Sequence, residues 1–248
     1  MKRYIYILCL FLFASCKLIN PLYNEGKHIE TSIEIEDFTQ LEVQNVFNIE
    51  IIADTETFIL YKGGENILKE MTYTSKDQIL KLDHKFMNWA NSFKIPRLEI
   101  HTTYVDTINI YSSGSLVSQN QLSAENLTLN INRGAEAYEV NLKVKCSNFR
   151  FFATVAAGGS FDFSGECQTA SFDLNGSTNI KALNLISEKT TFIQNSLGNA
   201  YVFAKDTIKA GFYNSGNIYY KGKPKNIEVK YGKVNHQKAS GKLIPMED

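Results

Sequence analysis

Two cysteines in the second half of the sequence, Cys146 and Cys167, carry the most reactive side chains beyond the first sixteen residues. They are 21 residues apart, and each precedes a phenylalanine by five residues, Phe151 and Phe172 respectively. This shared spacing predicts that they occupy equivalent positions on neighbouring turns of a repeat, ~4.8 Å apart. At that distance a disulfide is possible. In-register side chains run parallel, however, which favours a reduced, buried cysteine pair.

Three acidic residues lie close enough in the sequence to be the carboxylates of a polysaccharide-cleaving site: Asp162, Glu166 and Asp173. Such a reaction uses two carboxyl groups on either side of the glycosidic bond. Asp162 and Asp173, however, alternate with phenylalanines in the segments FDFSGE and FDLNG. Alternate side chains of a strand point to opposite faces, so these aspartates point away from a core formed by the phenylalanines. The pattern favours a solvated strand face over a catalytic site.

Sequence motifs of the common enzyme classes are absent. There is no Gly-x-Ser-x-Gly nucleophile turn, no His-Glu-x-x-His zinc motif, no phosphate-binding loop and no Cys-x-x-Cys pair. The four histidines, His28, His84, His101 and His236, are scattered along the chain, which indicates surface or strand positions rather than metal ligands. We therefore expect no enzyme activity, no metal and no cofactor.

Seven aromatic residues recur between positions 161 and 212 and could form a platform on which sugar rings stack. Aromatic side chains stacked inside the protein are the commoner arrangement, and we expect an internal ladder here. The seven residues are Phe161, Phe163, Phe172, Phe192, Tyr201, Phe203 and Phe212.

Charge is distributed unevenly along a sequence whose formal net charge is zero. The segment 25–56 contains nine acidic residues and one lysine, whereas 207–244 contains eight lysines and one glutamate. The balanced total argues against a nucleic-acid partner. The lysines have two interpretations: they protect an open sheet edge against pairing, or they bind an anionic glycan or an acidic envelope partner. In the second interpretation the binding patch consists of Tyr219, Tyr220, Lys221, Lys223, Lys225 and Tyr231.

The first residues are similar to a bacterial lipoprotein signal and are not expected to be part of the fold. A basic pair at positions 2 and 3 precedes the apolar run 4–13, which is too short to span a bilayer, and small residues stand directly before Cys16. This order predicts a signal peptide at 1–15, cleavage before Cys16 and acylation of its thiol. An ordinary secretory signal is the alternative. The lipoprotein interpretation predicts a membrane partner through the lipid anchor and a place in the cell envelope, at the outer membrane.

The segment 29–104 carries the period-two alternation of β-strands. Apolar and polar residues alternate in SIEIEDF, LEVQNVFNIEII and TFILYKG, and two further strands are predicted at QILKLDH and RLEIHTTY. One short helix is predicted at Glu65–Met71, with a single turn between strands as its alternative. Between the last two strands, Trp89 and Phe93 are expected to plug the core.

A glycine-containing turn recurs from residue 105 onward, at intervals of roughly twenty residues. A period of this length without a helical pattern predicts a β-solenoid, in which each turn buries its apolar face against the next. Leucine-rich repeats are the rival at this period, but only the segment 127–132 has their spacing. Glycine supplies the positive φ expected at tight corners, and Asn175, Asn195 and Asn214 lie just before these glycines, where asparagine tolerates the left-handed conformation and forms side-chain turn bonds. The turn glycines are Gly114, Gly134, Gly158, Gly176, Gly198 and Gly216.

The order of these segments resembles that of the putative auto-transporter adhesins with a head GIN domain, a family common among lipoproteins of Bacteroidota. The closing stretch GNIYYKGKPKNIEVKYGKV, Gly216–Val234, is similar to that family's glycine turn, aromatic strand, Gly-x-Pro and final glycine turn. The stretch FTQLEVQNVFNIEII resembles its opening strand pair. The resemblance covers about residues 29–236, and it departs from the family where the doubled Gly-Ser-Gly turns read SSGS, RGAE, NGST and SLGN. It implies an adhesion-like role.

Taken with the alternation, the repeat predicts an all-β protein: a β-helix or solenoid with rungs of roughly twenty residues, preceded by an N-terminal β segment packed on the same solenoid. The expected organisation is a signal peptide (1–15), a lipidated tether (16–28), an N-terminal β region (29–104), solenoid repeats (105–243) and a tail (244–248). The predicted function is a non-enzymatic binding or adhesion-like module of the cell envelope, for a glycan or an envelope partner. A polysaccharide-active enzyme and a purely structural envelope protein are the alternatives.

Overall fold

The computed structural model describes residues 25–85, 95–234 and 237–247 of the chain. The signal peptide, the lipidation site Cys16, most of the tether, the plug residues Trp89 and Phe93, and His236 all lie outside the described residues. The structure is 68% strand and 3% helix, so the fold is all-β, as the sequence predicted. None of the described helices is long and apolar enough to cross a membrane.

In the described residues, seventeen strands form one continuous sheet and two more form a small hairpin near the C-terminus. One helix, α1 (Glu65–Glu70), confirms the short helix expected from the sequence. The strands in chain order are β1 (His28–Glu34), β2 (Gln40–Val43), β3 (Phe47–Ala53), β4 (Phe58–Gly64), β5 (Met71–Lys76), β6 (Ile79–His84), β7 (Arg97–Thr102), β8 (Thr107–Ile110), β9 (Gly114–Ser118), β10 (Leu122–Ile131), β11 (Tyr138–Ala153), β12 (Gly158–Ser196), β13 (Ala200–Phe203), β14 (Thr207–Phe212), β15 (Ile218–Lys221), β16 (Asn226–Tyr231), β17 (Lys233–Val234), β18 (Gln237–Lys238) and β19 (Leu243–Pro245).

The large sheet coils into a three-sided solenoid of about 6 turns, because parallel pairing joins strands one turn apart in the sequence. Face A consists of β2, β8, residues 128–131, 150–153, 171–173 and 189–194, β14 and β16. Face B consists of β3, β9, residues 138–141, 159–162 and 180–182, β13, β15 and β19. Face C includes residues 122–126, 144–148 and 165–169.

The register of face A gives the length of each turn. Thr107 lies opposite Thr128, Thr128 opposite Arg150, and Arg150 opposite Ser171, so these turns are twenty-one or twenty-two residues long. Near the C-terminus, Thr207 lies opposite Asn226, a turn of nineteen residues. The predicted rung of roughly twenty residues is therefore confirmed, and the turns shorten toward the C-terminal end.

Alternate side chains of each strand point into the solenoid and form one continuous core. In β11, Tyr138, Val140, Leu142 and Val144 are buried while the residues between them are exposed. Burying each such side chain contributes about 1.5–3 kcal/mol, so the apolar stack is the main source of stability.

The aromatic ladder occupies this core at five of the seven expected positions. Phe172 stacks on Phe192, one turn later, with ring centroids 4.7 Å apart and ring planes 10° from parallel. The expectation is wrong for Tyr201 and Phe203, which lie on the outer surface. The residues of β13 that point inward are its smaller ones, at positions 200 and 202.

At the corners of the solenoid, the backbones of consecutive turns approach closely, and this approach explains the recurring glycines. A Cβ on Gly134 would lie 2.4 Å from the carbonyl oxygen of Tyr111, one turn earlier. A Cβ on Gly198 would lie 1.9 Å from that of Thr178. Positive φ is not the common cause, and the expectation of positive φ is wrong for three of the six turn glycines: Gly158, Gly198 and Gly216.

The asparagines before these turns bond to one another along the stack. Asn195 Nδ2 donates to Asn175 Oδ1 at 2.9 Å, and Asn214 Nδ2 donates to the carbonyl oxygen of Asn195 at 3.5 Å. Since the only described non-glycine residues with positive φ are Asp77 and Gln78, these asparagines do not use the left-handed conformation that they tolerate. Their amides instead satisfy polar groups at corners that the strand ladders leave open.

The N-terminal strands pack on the same solenoid, as the sequence predicted. β2 and β3 pair in parallel with β8 and β9 and so form the first turn. β6 and β5 extend face A beyond them, while β7, β4 and β1 extend face B, with antiparallel pairing at the outermost strands. At the opposite end, β16 ends face A, β19 ends face B, and the hairpin of β17 and β18 connects them.

Candidate functional site

A flat aromatic surface lies on the outer side of face B near the C-terminal end of the solenoid. Tyr201 of β13 and Tyr219 of β15 are register partners, and their rings stack with centroids 4.9 Å apart and planes 10° from parallel. The neighbouring residues Ala200, Val202 and Ile218 are buried. Strand alternation therefore points both tyrosines outward, where they are half-buried.

Phe203 and Lys221 extend this surface two positions further along the same strands. They are register partners, and both side chains are half-buried on the outer side of face B. We call the four residues Tyr201, Phe203, Tyr219 and Lys221 the aromatic patch. Asn217 Nδ2 lies 3.4 Å from the Tyr219 hydroxyl and donates a hydrogen bond that orients the ring.

Two lysines without carboxylate partners border the aromatic rings. Lys181 is the register partner of Tyr201 and is exposed, and Lys221 belongs to the aromatic patch itself. In the part of the chain that the structure describes, neither has a carboxylate within ion-pair distance, whereas Lys205 bonds Glu188 at 2.7 Å. An unpaired ammonium group next to aromatic rings attracts an anionic group of a ligand, because no protein carboxylate competes for it.

Of the six residues that the sequence grouped as a binding patch, two, Tyr219 and Lys221, belong to the aromatic patch. Tyr220 points inward and packs against the core. The side chains at positions 223 and 225, both lysines, are exposed at the next corner. Tyr231 lies on face A at the end of the solenoid, where it stacks on Phe212 with ring centroids 5.5 Å apart.

From the sequence, Tyr201 and Phe203 were considered for an exposed platform but expected in the internal ladder, and Lys181 was not considered. A signal for them was present, because the small side chains of Ala200 and Val202 alternate with the two aromatic ones. The turn from β13 to β15 is only eighteen residues long, so the interior is narrower there than in the middle turns. A narrow interior takes the smaller side chains, and the aromatic ones are left outside.

Cys146 and Cys167 are register partners on face C, and both are reduced. A hydrogen bond between the two thiols lowers the pKa of Cys146. The same hydrogen bond, together with burial, raises the pKa of Cys167. The pair lies at a groove of about 770 Å³ whose rim includes Lys145 and Glu166, an ion pair at 3.0 Å.

The three carboxylates considered for polysaccharide cleavage lie on three different faces. Asp162 is on face B, Glu166 is on face C and Asp173 is on face A. Glu166 is engaged by Lys145, and Asp173 accepts a hydrogen bond from Asn175 Nδ2 at 3.1 Å. Burial raises the pKa of Asp173. Side chains on different faces of a solenoid cannot flank one glycosidic bond. These residues therefore do not form the catalytic pair that a polysaccharide-cleaving enzyme would need.

Two of the histidines, His101 and His84, make structural contacts. His101 Nδ1 lies 2.7 Å from Asp54 Oδ2, and this hydrogen bond lowers the pKa of Asp54. His84 is buried, and its Nε2 lies 3.1 Å from the carbonyl oxygen of Val46. Across the described residues, no three histidine, cysteine or acidic side chains come together in a way that could hold a metal ion.

A family profile described as "Putative auto-transporter adhesin, head GIN domain" matches residues 37–224, which is more than half of the chain. The chain belongs to this family. The resemblance found in the order of the strand and turn segments is thereby confirmed. The match includes β13 and β15, and with them the whole aromatic patch.

Solved structures from the Bacteroidales have the same fold as this head GIN chain. A "putative adhesin" from Bacteroides fragilis is 22% identical, with a TM-score of 0.79, covering 89% of this chain and 97% of its own. A "putative lipid binding protein" from Parabacteroides distasonis is 18% identical, with a TM-score of 0.63, covering 90% and 98%. A "putative adhesin" from Parabacteroides merdae is 16% identical, with a TM-score of 0.59, covering 90% and 97%. No curated protein matches the chain.

Proposed function

We propose that this chain is a non-enzymatic binding module of the bacterial cell envelope, and that the aromatic patch holds its ligand, an anionic glycan. The observation that carries the proposal is the stack of Tyr201 on Tyr219 beside Lys181 and Lys221. Half-exposed aromatic rings on a rigid sheet can pack against the apolar faces of sugar rings, and lysine ammonium groups can bind the anionic substituents of a glycan. Membership of a family described as adhesins supports an adhesion-like role.

The separation of the acidic residues supports binding rather than cleavage. Asp162, Glu166 and Asp173 lie on three different faces, so they cannot act together on one glycan bound at the aromatic patch. Among the described residues, the register partners of Tyr201 and Tyr219 include Lys181 and Ile244 and no carboxylate.

We further propose that the chain is lipid-anchored at Cys16 and resides in the cell envelope, at the outer membrane. The basic pair, the short apolar run and the small residues before Cys16 support this anchor. The family description and the adhesin-like relatives from Bacteroidales support an envelope location. An anchor at the N-terminal end leaves the aromatic patch at the far end of the solenoid.

A glycan array tests the ligand class. The chain from Lys17 onward contains every described residue, and we expect it to bind uronic-acid-containing, sulfated or phosphorylated glycans in preference to neutral ones. Because screening weakens exposed charges, binding should decrease as salt is raised toward 1 M, where the Debye length is ~3 Å. An array without any bound glycan would contradict the proposed ligand, and an envelope protein would then be the partner to seek.

Substitutions locate the site. Tyr219→Ala and Lys221→Ala should each weaken binding of the best glycan about tenfold, equivalent to ~1.4 kcal/mol. The matched control is Tyr73→Ala, because Tyr73 is 43% exposed on β5 at the other end of the solenoid and should not affect affinity. Equal losses for Tyr219→Ala and Tyr73→Ala would show that the glycan does not bind at the aromatic patch.

A further inference from the structure

The last strand of face A, β16, has one edge without a partner strand. Among the described strands only β14 pairs with it. The inward-facing side chains of Ile227, Val229 and Tyr231 are 52%, 37% and 46% exposed, whereas their register partners on β14 are at most 3% exposed. Lys238 lies over the Tyr231 ring, at 5.3 Å, and still leaves that ring open. An apolar row beside a free strand edge is a template for another strand.

The backbone hydrogen bonds show which residues of β16 face that free edge. The N–H group of Asn226 donates to the carbonyl oxygen of Asp206, on the side of β14. Backbone groups of successive residues in a strand alternate between its two edges. Ile227, Val229 and Tyr231 therefore present both N–H and C=O to the free edge, and the same residues carry the exposed apolar side chains.

We propose that β16 pairs antiparallel with β16 of a second copy of the chain, with Val229 facing Val229 on a two-fold axis. In this register Ile227 lies opposite Tyr231 of the second copy, twice by symmetry. All these pairs are formed by residues whose N–H and C=O point outward, so each pair exchanges both hydrogen bonds. The β-branched and aromatic side chains meet on the core side, a favourable cross-strand combination, and the two cores become one.

The charged side chains on the outer side of β16 favour this register and favour a second copy of the chain as the partner. Glu228 and Lys230 lie on the outer side of β16, where their charged groups are 2.8 Å apart within one chain. In the proposed register, Glu228 lies opposite Lys230 of the second copy, so each strand presents a complementary pair to the other. A shift by two residues would place Glu228 against Glu228, or Lys230 against Lys230, and like charges directly opposite are destabilising. A shift by one residue would put charged side chains on the core side.

The pairing joins two solenoids end to end, because β16 is at one end and the N-terminal strands are at the other. Both N-termini then leave the dimer at its two far ends. If the proposed lipid anchor at Cys16 is correct, the two copies belong to opposed membranes. This interpretation of the dimer as a homophilic contact rests on the proposed function, whereas the pairing itself does not.

Sedimentation velocity of the chain from Lys17 onward, over a concentration series, tests the dimer. We expect a monomer–dimer equilibrium in the micromolar range, because a single strand edge buries less than the ~1,200–2,000 Å² of a stable interface. Val229→Lys should give a monomer at every concentration, since it places two ammonium groups on the axis. Ile193→Lys is the matched control: Ile193 is 45% exposed but lies within β12, away from the free edge, and should leave the dimer intact. A wild-type chain that stays monomeric overturns the proposal.

A charge exchange tests the register. Glu228→Lys should abolish the dimer, and the double variant Glu228→Lys with Lys230→Glu should restore it to within about threefold of the wild-type affinity. Failure of the double variant to recover would overturn the antiparallel register. Head-to-tail docking on the acidic N-terminal strands would instead be strengthened by Glu228→Lys and would grow beyond a dimer, which would also overturn the proposal. Glycan binding should be unchanged in all these variants. A failure of the proposed dimer can therefore be distinguished from a failure of the proposed glycan site.

Discussion

Single glycines have large effects in this fold where the backbones of consecutive turns nearly touch. Gly165 has a φ of +108°, and a Cβ there would lie 1.9 Å from the carbonyl oxygen of Val144. Gly165→Ala should therefore combine backbone strain with a steric clash and reduce the free energy of unfolding by about 2–4 kcal/mol. Urea denaturation measures this change.

Gly211 provides the control for this substitution. A Cβ at Gly211 would meet Tyr213 Cε2 at 3.4 Å, an ordinary contact, and its φ lies outside the left-handed region. Gly211→Ala should change the free energy of unfolding by no more than about 0.5 kcal/mol. If the two substitutions had the same cost, the close approach of the turns would not be the reason for the glycine.

The cysteine pair should react unequally with alkylating reagents. The thiolate is the reactive form, and the hydrogen bond from Cys167 lowers the pKa of Cys146, whose side chain is also the more exposed. We expect iodoacetamide at pH 7 to label Cys146 well before Cys167, as measured by peptide mass spectrometry. Cys167→Ala removes the hydrogen bond and should shift the labelling of Cys146 to higher pH. Equal labelling of both cysteines, or a disulfide between them, would contradict this arrangement.

For the strands, the alternation of apolar and polar residues can be read from the sequence, but the register between neighbouring strands cannot. The stretch LEVQNVFNIEII predicts β2 and β3 because the period-two pattern is local. The contact of Tyr201 with Tyr219 depends instead on turn length, which falls from twenty residues between Ile180 and Ala200 to eighteen between Ala200 and Ile218. Turn length is set by the width of the core and by how far face C extends, which are properties of the whole stack. The alternation in β13 places Tyr201 and Phe203 on one side of the strand, but which side faces outward could not be predicted from that strand alone.

An asparagine ladder fixes the start of the strands that carry the aromatic patch. Asn199 N–H donates to Asn179 Oδ1 at 3.2 Å, and Asn199 Oδ1 accepts from Asn217 N–H at 2.9 Å. Asn199→Ala leaves the N–H of Asn217 without its partner and should reduce the free energy of unfolding by about 1–2 kcal/mol. Thermal denaturation followed by circular dichroism measures the loss. Asn184→Ala, at an exposed position of β12, is the control and should have no measurable effect; an equal loss there would argue against the ladder.

The whole molecule has two unlike ends. The N-terminal end is closed by antiparallel strands and α1, and it contains the acidic segment 25–56. The C-terminal end is the open edge of β16, and the lysine-rich segment 207–244 surrounds it. Solenoids need a cap at each end, because the last turn cannot bury its apolar face alone. The proposed second copy would supply that cap at the C-terminal end, and the lysines would disfavour pairing with strands that lack the complementary charges.

The anchor proposed at Cys16 determines which end of the molecule faces outward. With about 6 turns at ~4.8 Å each, the aromatic patch would lie roughly 30 Å beyond the N-terminal end of the solenoid. Cys16→Ser removes the thiol that would be acylated, while every described residue is unchanged. We expect the wild-type protein to partition into the detergent phase of a Triton extraction and the variant to appear in the aqueous phase, with its glycan binding retained.

The same variant distinguishes a lipid anchor from other modes of membrane attachment. Cys9→Ser is the matched control, because Cys9 lies within the apolar run of the signal and would be removed with it. That variant should partition like the wild type. Because a signal with an acylated cysteine is cut directly before that cysteine, the wild-type protein should also lack residues 1–15, which mass spectrometry of the purified protein would show. A Cys16→Ser variant that still entered the detergent phase would refute the anchor and, with it, the assignment of the two copies of the dimer to opposed membranes.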